Sequence, residues 1–144
     1  LYYRGYAYTH LRHYALARQE YESLLQRVPR HFEAHLALAH VLQKLDRRTD
    51  ALDELNRIVE MFPDSAHAYV ARALYEQQYE QYDVALYDWD EAIRLNPRDV
   101  SLVVSKAELL LMLKRKDEAR RTLDDAVRRG IPRYALKEWY DKII

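Results

Sequence analysis

The amino-acid sequence predicts an all-α protein built from four helix-turn-helix repeats. The first observation is a period, because Pro29, Pro63 and Pro97 stand 34 residues apart. The second is that a small residue precedes each proline by twelve and by twenty-four positions: Ala17, Ala51 and Ala85 at the nearer position, and Gly5, Ala39 and Ala73 at the farther one. The third is composition, since a chain with only 2 glycines and 32% charged residues favours helices joined by short turns over sheets.

Each of these positions has a physical reason. A proline lacks the backbone N–H and its ring clashes with the preceding turn, so it ends the second helix of each repeat. Two antiparallel helices approach closely where both carry small side chains. Eight residues before each proline a large side chain fills the adjacent space: Tyr21, Leu55 and Trp89. A fourth copy follows with Ala107, Ala119 and Leu123, and its proline is displaced by one residue to Pro132.

Taken in order, the periodicity predicts helices at residues 1–11 and 14–28, 33–45 and 48–61, 67–79 and 83–95, and 101–113 and 117–129. Capping residues are expected at Asp46 and Thr49 between the helices of the second repeat, and at Asp64, Ser65 and Asp99 before later ones. Gly130 is a helix stop signal, after which Pro132 opens a ninth helix. The repeats then span about 1–31, 32–65, 66–99 and 100–133, within a single domain over residues 1–144.

The last segment, about 133–144, carries a single apolar stripe. Leu136, Trp139, Tyr140 and Ile143 fall at the i, i+3, i+4 and i+7 positions of a helix. We expect this helix to cap the open end of the repeat stack, and the alternative is a truncated fifth repeat.

These spacings resemble the tetratricopeptide repeat family, over nearly the whole chain. The resemblance implies a solenoid, a right-handed α-α superhelix whose concave groove binds other proteins. It also implies an interaction module rather than an enzyme, with no ligand common to the family. The second repeat departs most from the family pattern, because His35 stands where a large apolar residue is usual.

Helix geometry places the groove. In the helix at 67–79, Tyr69, Arg72, Ala73 and Glu76 face the partner helix, and the resemblance to the family implies that the opposite side lines the concave groove. Applied to all four repeats, this predicts a protein-binding groove lined by Tyr2, Tyr6, Leu36, His40, His67, Val70, Leu74, Gln77, Val104, Glu108 and Leu111. The alternative is that neighbouring leading helices pack together and bury these side chains.

One subclass of the family, the chaperone-docking domains, grips a C-terminal carboxylate with lysine, asparagine and arginine on this surface. The corresponding positions here hold Tyr2, Tyr6, Ala37, His67 and Ala71 or, one repeat later, Leu36, His40, Ala71, Ser101 and Ser105. A receptor for chaperone tails is therefore disfavoured.

Composition and motifs exclude other classes of function. The formal net charge is zero, which argues against a nucleic-acid or anionic-membrane binder, and no apolar run is long enough for membrane insertion. There is no cysteine and no HExxH motif, and His31 and His35 alone do not make a metal site. The sequence indicates no catalytic residues and no cofactor. Cytoplasm and periplasm are both compatible with it.

Charges indicate specific contacts. Sixteen residues after Arg4 and Arg72 come Glu20 and Asp88, and this spacing predicts an ion pair inside each of two repeats. Acidic residues outnumber basic ones six to two over 66–97, whereas basic residues prevail ten to six over 98–133. This asymmetry predicts either ion pairs between neighbouring outer helices or a bipolar module that docks charged partners.

The favoured function is a non-catalytic protein-protein interaction module that binds a peptide or helical segment of a partner. The alternative is a structural spacer, or a segment of a larger protein that self-associates as a homo-oligomer. Both use the same apolar groove, so they differ only in what fills it.

Overall fold

The computed structural model describes all residues 1–144, which form helices and turns without a strand. The helices are α1 (Tyr2–His10), α2 (Tyr14–Arg27), α3 (Phe32–Lys44), α4 (Arg48–Met61), α5 (Ala66–Gln78), α6 (Tyr82–Leu95), α7 (Val100–Met112), α8 (Lys116–Arg128) and α9 (Lys137–Asp141). The first eight begin and end within one residue of the predicted bounds. The periodic prolines and small residues therefore located the helices correctly.

The chain divides into two compact units, Leu1–Pro63 and Asp64–Ile144. In the first unit α1 packs against α2, α2 against α3, and α3 against α4. In the second unit α5 packs against α6, α6 against α7, and α7 against both α8 and the C-terminal segment. Each unit thus holds two helical repeats, and the single domain remains a prediction.

The small residues lie where the helices of a repeat cross. Ala17, Ala51, Ala73 and Ala85 are completely buried, and the large residues beside them are buried too: Tyr21, Leu55 and Trp89. Gly5 is the extreme case, since a Cβ atom at this position would come within 2.7 Å of Cε1 of Tyr21. The tyrosine ring therefore occupies the space that a side chain at position 5 would need.

The turn inside every repeat uses a residue with positive φ. Arg12, Asp46, Glu80 and Lys114 have φ values of 62°, 58°, 61° and 62°, again at 34-residue steps. The second helix of each repeat then begins without a side-chain cap. The predicted caps of α4 are therefore wrong: Asp46 lies in the left-handed turn and Thr49 lies inside the helix, because the turn geometry makes Arg47 the first flanking residue.

Three of the leading helices, α3, α5 and α7, are capped by side chains. Ser65 accepts a hydrogen bond from the Ala68 N–H at 3.4 Å, and Asp99 accepts one from the Ser101 N–H at 3.0 Å. These two predicted caps are confirmed, whereas Asp64 is not the capping residue of α5. His31 caps α3 through Nδ1, which accepts the Ala34 N–H at 3.0 Å.

The predicted ninth helix is broken. Residues Arg133–Leu136 form a 3-10 turn and only Lys137–Asp141 are α-helical. The apolar stripe is nevertheless confirmed, because Leu136 and Ile143 are buried while Trp139 and Tyr140 pack half-buried against the core of the second unit. Trp139 Nε1 donates to Glu108 Oε1 at 3.0 Å and thereby ties α9 to α7.

Both predicted ion pairs within repeats are present. Arg72 donates from Nε and Nη2 to the two carboxylate oxygens of Asp88, each at 2.8 Å, and Arg4 Nε lies 2.9 Å from Glu20 Oε1. Their surroundings differ, because the Arg72 side chain is 19% exposed and that of Arg4 is 61% exposed. The guanidinium of Arg72 is therefore largely shielded from solvent, whereas that of Arg4 lies at the surface.

The charge asymmetry of the second unit is partly neutralised inside the unit. Lys106 Nζ lies 2.5 Å from Asp90 Oδ1, and Arg115 Nη2 lies 3.7 Å from Asp83 Oδ1. Both pairs join the acidic α6 to the basic repeat that follows it. Lys106 lies on the leading helix α7 and Arg115 in the turn before α8, so these pairs are not the predicted ones between the outer helices α6 and α8, and the docking module stays a prediction.

Candidate peptide-binding surface

The residues predicted to line the groove remain accessible. None of the eleven is buried, and Tyr6 and Leu74 are each 54% exposed although their helices pack closely on the other side. His40, His67 and Glu108 are also exposed. The half-buried members of the set are Tyr2, Leu36, Val70, Gln77, Val104 and Leu111.

Four predicted residues meet in one cleft of the first unit. This first-unit cleft has a volume of about 420 Å³. Its lining comes from α1, α2 and α3: Tyr2, Tyr6, Thr9, His10, Tyr21, Glu33, Leu36, Ala37 and His40. The predicted members Tyr2, Tyr6, Leu36 and His40 are therefore neighbours in space as well as in the repeat register.

Aromatic rings form most of one wall of the first-unit cleft. The rings of Tyr6 and His10 lie 4.3 Å apart between centroids, one helical turn from each other. Tyr2 contacts His31 edge-on at 5.3 Å and lies 6.0 Å from the buried ring of Tyr21. These contacts hold the tyrosines in place, so their exposed surfaces form a prearranged apolar wall.

Two ionisable groups of the first-unit cleft, His40 and Tyr2, have pKa values shifted towards the neutral form. Partial burial, with a further contribution from the Lys44 ammonium, lowers the pKa of His40. Burial, followed by the neighbouring Tyr21 and Glu33, raises the pKa of Tyr2. Both shifts favour the neutral forms of these two side chains.

Two more predicted residues lie in a smaller cleft of the second unit. This second-unit cleft, about 300 Å³, is lined by Leu74, Gln77 and Gln78 of α5, with Tyr82 and Met112. Tyr82 is the first residue of α6, and the helical-face argument did not find it because it assigned the surface to leading helices alone.

The other predicted residues of the second unit have structural contacts. Val70, Val104 and Leu111 pack partly against the core. Gln77 Oε1 accepts a hydrogen bond from Trp89 Nε1 at 3.1 Å, and Glu108 accepts the one from Trp139. These side chains therefore support the fold as well as facing the surface.

A third cleft was not predicted from the sequence. It measures about 610 Å³ and lies between α8 and the C-terminal segment, with Arg120, Asp124, Arg133 and Tyr140 among its lining residues. Tyr140 donates to Asp124 Oδ1 at 2.6 Å, and burial together with this hydrogen bond raises the pKa of Tyr140 to about 12. The break in the ninth helix shapes this cleft, and the apolar stripe did not predict that break.

Other kinds of site find no support in the geometry. No group of three or more histidine, aspartate or glutamate side chains is placed to hold a metal ion. His31 caps α3, and His35 is hydrogen-bonded to Glu54 and, at 2.6 Å, to the Pro29 carbonyl oxygen. No helix has the length and apolar character needed to cross a bilayer.

Comparison with sequence families gives two matches. One model described as a tetratricopeptide repeat matches residues 10–75, and a second model of the same description matches residues 70–134. Together they account for all but the two ends of the chain. Among curated proteins no match was found.

Solved structures of repeat proteins resemble the chain. MamA (residues 41 to the end) from Desulfovibrio magneticus RS-1 is 23% identical, with a TM-score of 0.70 over 88% of this chain and 72% of that one. A tetratricopeptide repeat protein from Parabacteroides merdae is 25% identical, with a TM-score of 0.66 over 99% of this chain and 56% of that one. A thermophilic repeat protein of Thermus thermophilus is 23% identical, with a TM-score of 0.64 over 99% of this chain and 84% of that one. These likenesses confirm the predicted fold class, an all-α repeat solenoid.

Proposed function

Because the chain belongs to the tetratricopeptide repeat family, whose members commonly mediate protein contacts, we propose that it is a non-catalytic protein-interaction module. Its ligand is a peptide or helical segment of another protein. In each unit the binding surface is the accessible face of its own leading helices, α1 and α3 in the first unit and α5 and α7 in the second.

The observation that supports this proposal most strongly is the exposure of Tyr6 and Leu74. Both are large and apolar, both are 54% exposed, and they occupy matching positions of the first and third repeats. An isolated exposed apolar residue needs no explanation, but each of these lies in a cleft beside further apolar side chains. Such surfaces gain free energy when a partner covers them.

Polar residues beside the apolar ones orient the bound segment. His40 lines the first-unit cleft, and Gln78 lines the second-unit cleft. We infer that these groups hydrogen-bond the backbone of the bound segment, while Tyr6 and Leu74 supply most of the affinity. His67, which is exposed on the same helix as Leu74, belongs to this polar set.

An absence of catalysis is part of the proposal. The buried ionisable groups are engaged in contacts between helices, as in the Arg72 pair with Asp88. A catalytic acid and base must converge on one accessible point, and an arrangement that bridges two helices inside a repeat supports the fold instead.

The alternative is a structural spacer or a self-associating segment. It draws support from Val70, Val104 and Leu111, which pack partly against the core of their own unit and so leave less apolar surface for a partner. Size-exclusion chromatography with light scattering, run over a hundredfold range of concentration, separates the two functions. A mass that stays at 17.3 kDa favours the interaction module, and a concentration-dependent dimer favours self-association.

Charged substitutions test the binding surface directly. We expect Tyr6→Asp and Leu74→Asp to abolish capture of a selected peptide partner while the melting temperature stays near that of the parent, because both side chains are half exposed. Matched controls are Leu16→Asp on α2 and Tyr87→Asp on α6, which are 42% and 59% exposed on trailing helices. A large fall in the melting temperature of the Tyr6 and Leu74 variants would show that these residues belong to the core. An equal loss of peptide capture in the control variants would contradict the assignment of the binding surface to the leading helices.

A further inference from the structure

The lining of the first-unit cleft contains an acidic side chain but no lysine or arginine. Glu33 is the one carboxylate among the nine lining residues. The lining also holds two histidines, His10 and His40, whose unprotonated imidazole rings carry no charge. A partner group that enters the cleft therefore meets a negative charge without a compensating positive charge in the lining.

The carboxylate of Glu33 is available to such a group. Its side chain is 65% exposed, and its nearest basic neighbour is Nδ1 of His31 at 3.8 Å. That nitrogen accepts the N–H of Ala34, so it holds a lone pair where an ion pair with Glu33 would need a proton. His31 Nδ1 therefore supplies no hydrogen-bond donor to the Glu33 carboxylate.

The aromatic wall adds a second attraction for positive charge. Tyr2 and Tyr6 line the same cleft as Glu33, and the ring of Tyr6 is about half exposed. The face of an aromatic ring attracts an ammonium or guanidinium group within about 6 Å of its centre. The chain uses this interaction internally, with Arg133 placed 3.9 Å from the centroid of the Tyr140 ring.

We propose that the first-unit cleft binds a lysine or arginine side chain of the partner segment, with its charged end at Glu33 and its aliphatic stem along Tyr6 and Leu36. This inference rests on the proposed function, since it specifies what the partner brings to that surface. It is opposite in sign to recognition of a carboxylate, for which the cleft offers no cationic side chain. Lys44, one turn beyond His40, favours the Glu33 end for the bound cation because like charges repel.

Peptide selection provides the ligand for a test. Random twelve-residue peptides displayed on phage are selected on the immobilised 144-residue chain, and the enriched peptides are synthesised for affinity measurement by fluorescence polarisation. We expect the enriched sequences to share a lysine or arginine. Replacing that residue with norleucine, which keeps the aliphatic stem and removes the charge, weakens binding at least about fivefold.

Protein variants locate the cation. Glu33→Gln weakens the basic peptides by about three- to tenfold and leaves the norleucine peptides unaffected. Tyr6→Leu weakens the basic peptides more than the norleucine peptides, because it removes the ring face that attracts the charge as well as part of the apolar wall. Glu60→Gln, a change at an exposed carboxylate of α4 outside the cleft, serves as the matched control and leaves both affinities unchanged.

The outcomes separate this inference from the proposed function. Peptides that require Tyr6 but tolerate norleucine, or that carry an acidic anchor, overturn the inference and leave the interaction module standing. If no selected peptide loses affinity in either Tyr6→Asp or Leu74→Asp, the proposed function itself fails, and the cation site fails with it.

Discussion

Glu76 is a buried acid that keeps its proton. Glu76 is only 6% exposed, and its carboxyl oxygen Oε1 has no hydrogen-bond partner. Burial, followed by the hydrogen bond and charge of Asp88, raises the pKa of Glu76 to about 9 although Arg72 acts in the opposite direction. At neutral pH Glu76 is therefore the proton donor to the Asp88 carboxylate, which in turn binds Arg72.

This proton makes stability depend on pH. The ordinary pKa of the group is 4.5 and the folded value is about 9, so between these values the folded chain holds a proton that the unfolded chain has released. The free energy of unfolding therefore falls as pH rises through this window, by at most about 1.4 kcal/mol per pH unit. We expect Glu76→Gln, which keeps a neutral donor towards Asp88, to remove this slope in urea unfolding curves measured from pH 5 to 9.

Glu138→Gln is the control for this experiment, because Glu138 is an exposed acid of the same unit. Its pH profile should follow that of the parent. Parallel profiles for the parent and for Glu76→Gln would contradict the assignment of a protonated Glu76.

Gly5 decides how α1 packs on α2. Alanine normally stabilises a helix by about 1 kcal/mol relative to glycine, yet a Cβ here would lie 2.7 Å from the buried ring of Tyr21. We expect Gly5→Ala to lower stability by about 1–3 kcal/mol, because overpacking of an immobile ring exceeds the gain in helix propensity. Thermal and urea unfolding measure the change.

A second substitution tests the cause. The second repeat combines Ala39 with Leu55 at the same two positions, so Gly5→Ala together with Tyr21→Leu reproduces a pair that the chain already contains. We expect the double variant to be more stable than Gly5→Ala alone. An additive loss from both changes would show that the steric contact with Tyr21 is not responsible.

At the scale of helices, three repeats each pair an acid on the second helix with a side chain of the first helix, and the three pairs differ. Asp88 receives both donors of Arg72, and Glu20 receives Arg4 at the surface. In the second repeat Leu38 stands at the position of the arginine, and Glu54 is bound by His35 and Arg57 instead. His35, the departure from the family pattern, thus provides the first-helix contact to the acid that an arginine provides in the first and third repeats.

Of the two pairs formed by an arginine of the first helix, the one in the third repeat contributes more, because Arg72 is 19% exposed and Arg4 is 61% exposed. Arg72→Ala leaves Asp88 buried without its bidentate partner, and we expect a loss of about 3 kcal/mol in the free energy of unfolding. Arg94→Ala is the control in the same unit, since Arg94 pairs with Glu91 at the surface, and its urea midpoint should match that of the parent. Equal midpoints for both variants would show that the Asp88 carboxylate does not depend on Arg72.

Sequence reasoning succeeded for elements with a repeated signal and failed for contacts without one. The prolines and small residues recur every 34 positions, so helix bounds followed directly, as did the pairing of Arg72 with Asp88. The capping of α4 was wrong because a left-handed residue in the turn leaves no trace in residue type. Similarly, the proton on Glu76 depends on neighbours from another helix, which no local pattern reveals.

At the scale of the whole molecule, some of the residues predicted to line the groove form contacts within their own unit. Tyr2, Tyr6, Leu36 and His40 line one cleft, whereas Gln77 and Glu108 hydrogen-bond tryptophans of their own unit. Helical periodicity identifies which face of a helix is available. It does not tell which polar groups on that face are already bonded, since the tryptophan partners come from other helices.

Hydrogen exchange of the chain, free and saturated with a selected peptide, reports where a partner binds and therefore tests whether the leading helices form the binding surface. We expect slower exchange in α1 and α3, around the first-unit cleft, and in α5, around Leu74, with little change in the trailing helices α2, α4 and α8. Slower exchange confined to the trailing helices, or to the cleft between α8 and the C-terminal segment, would contradict the assignment.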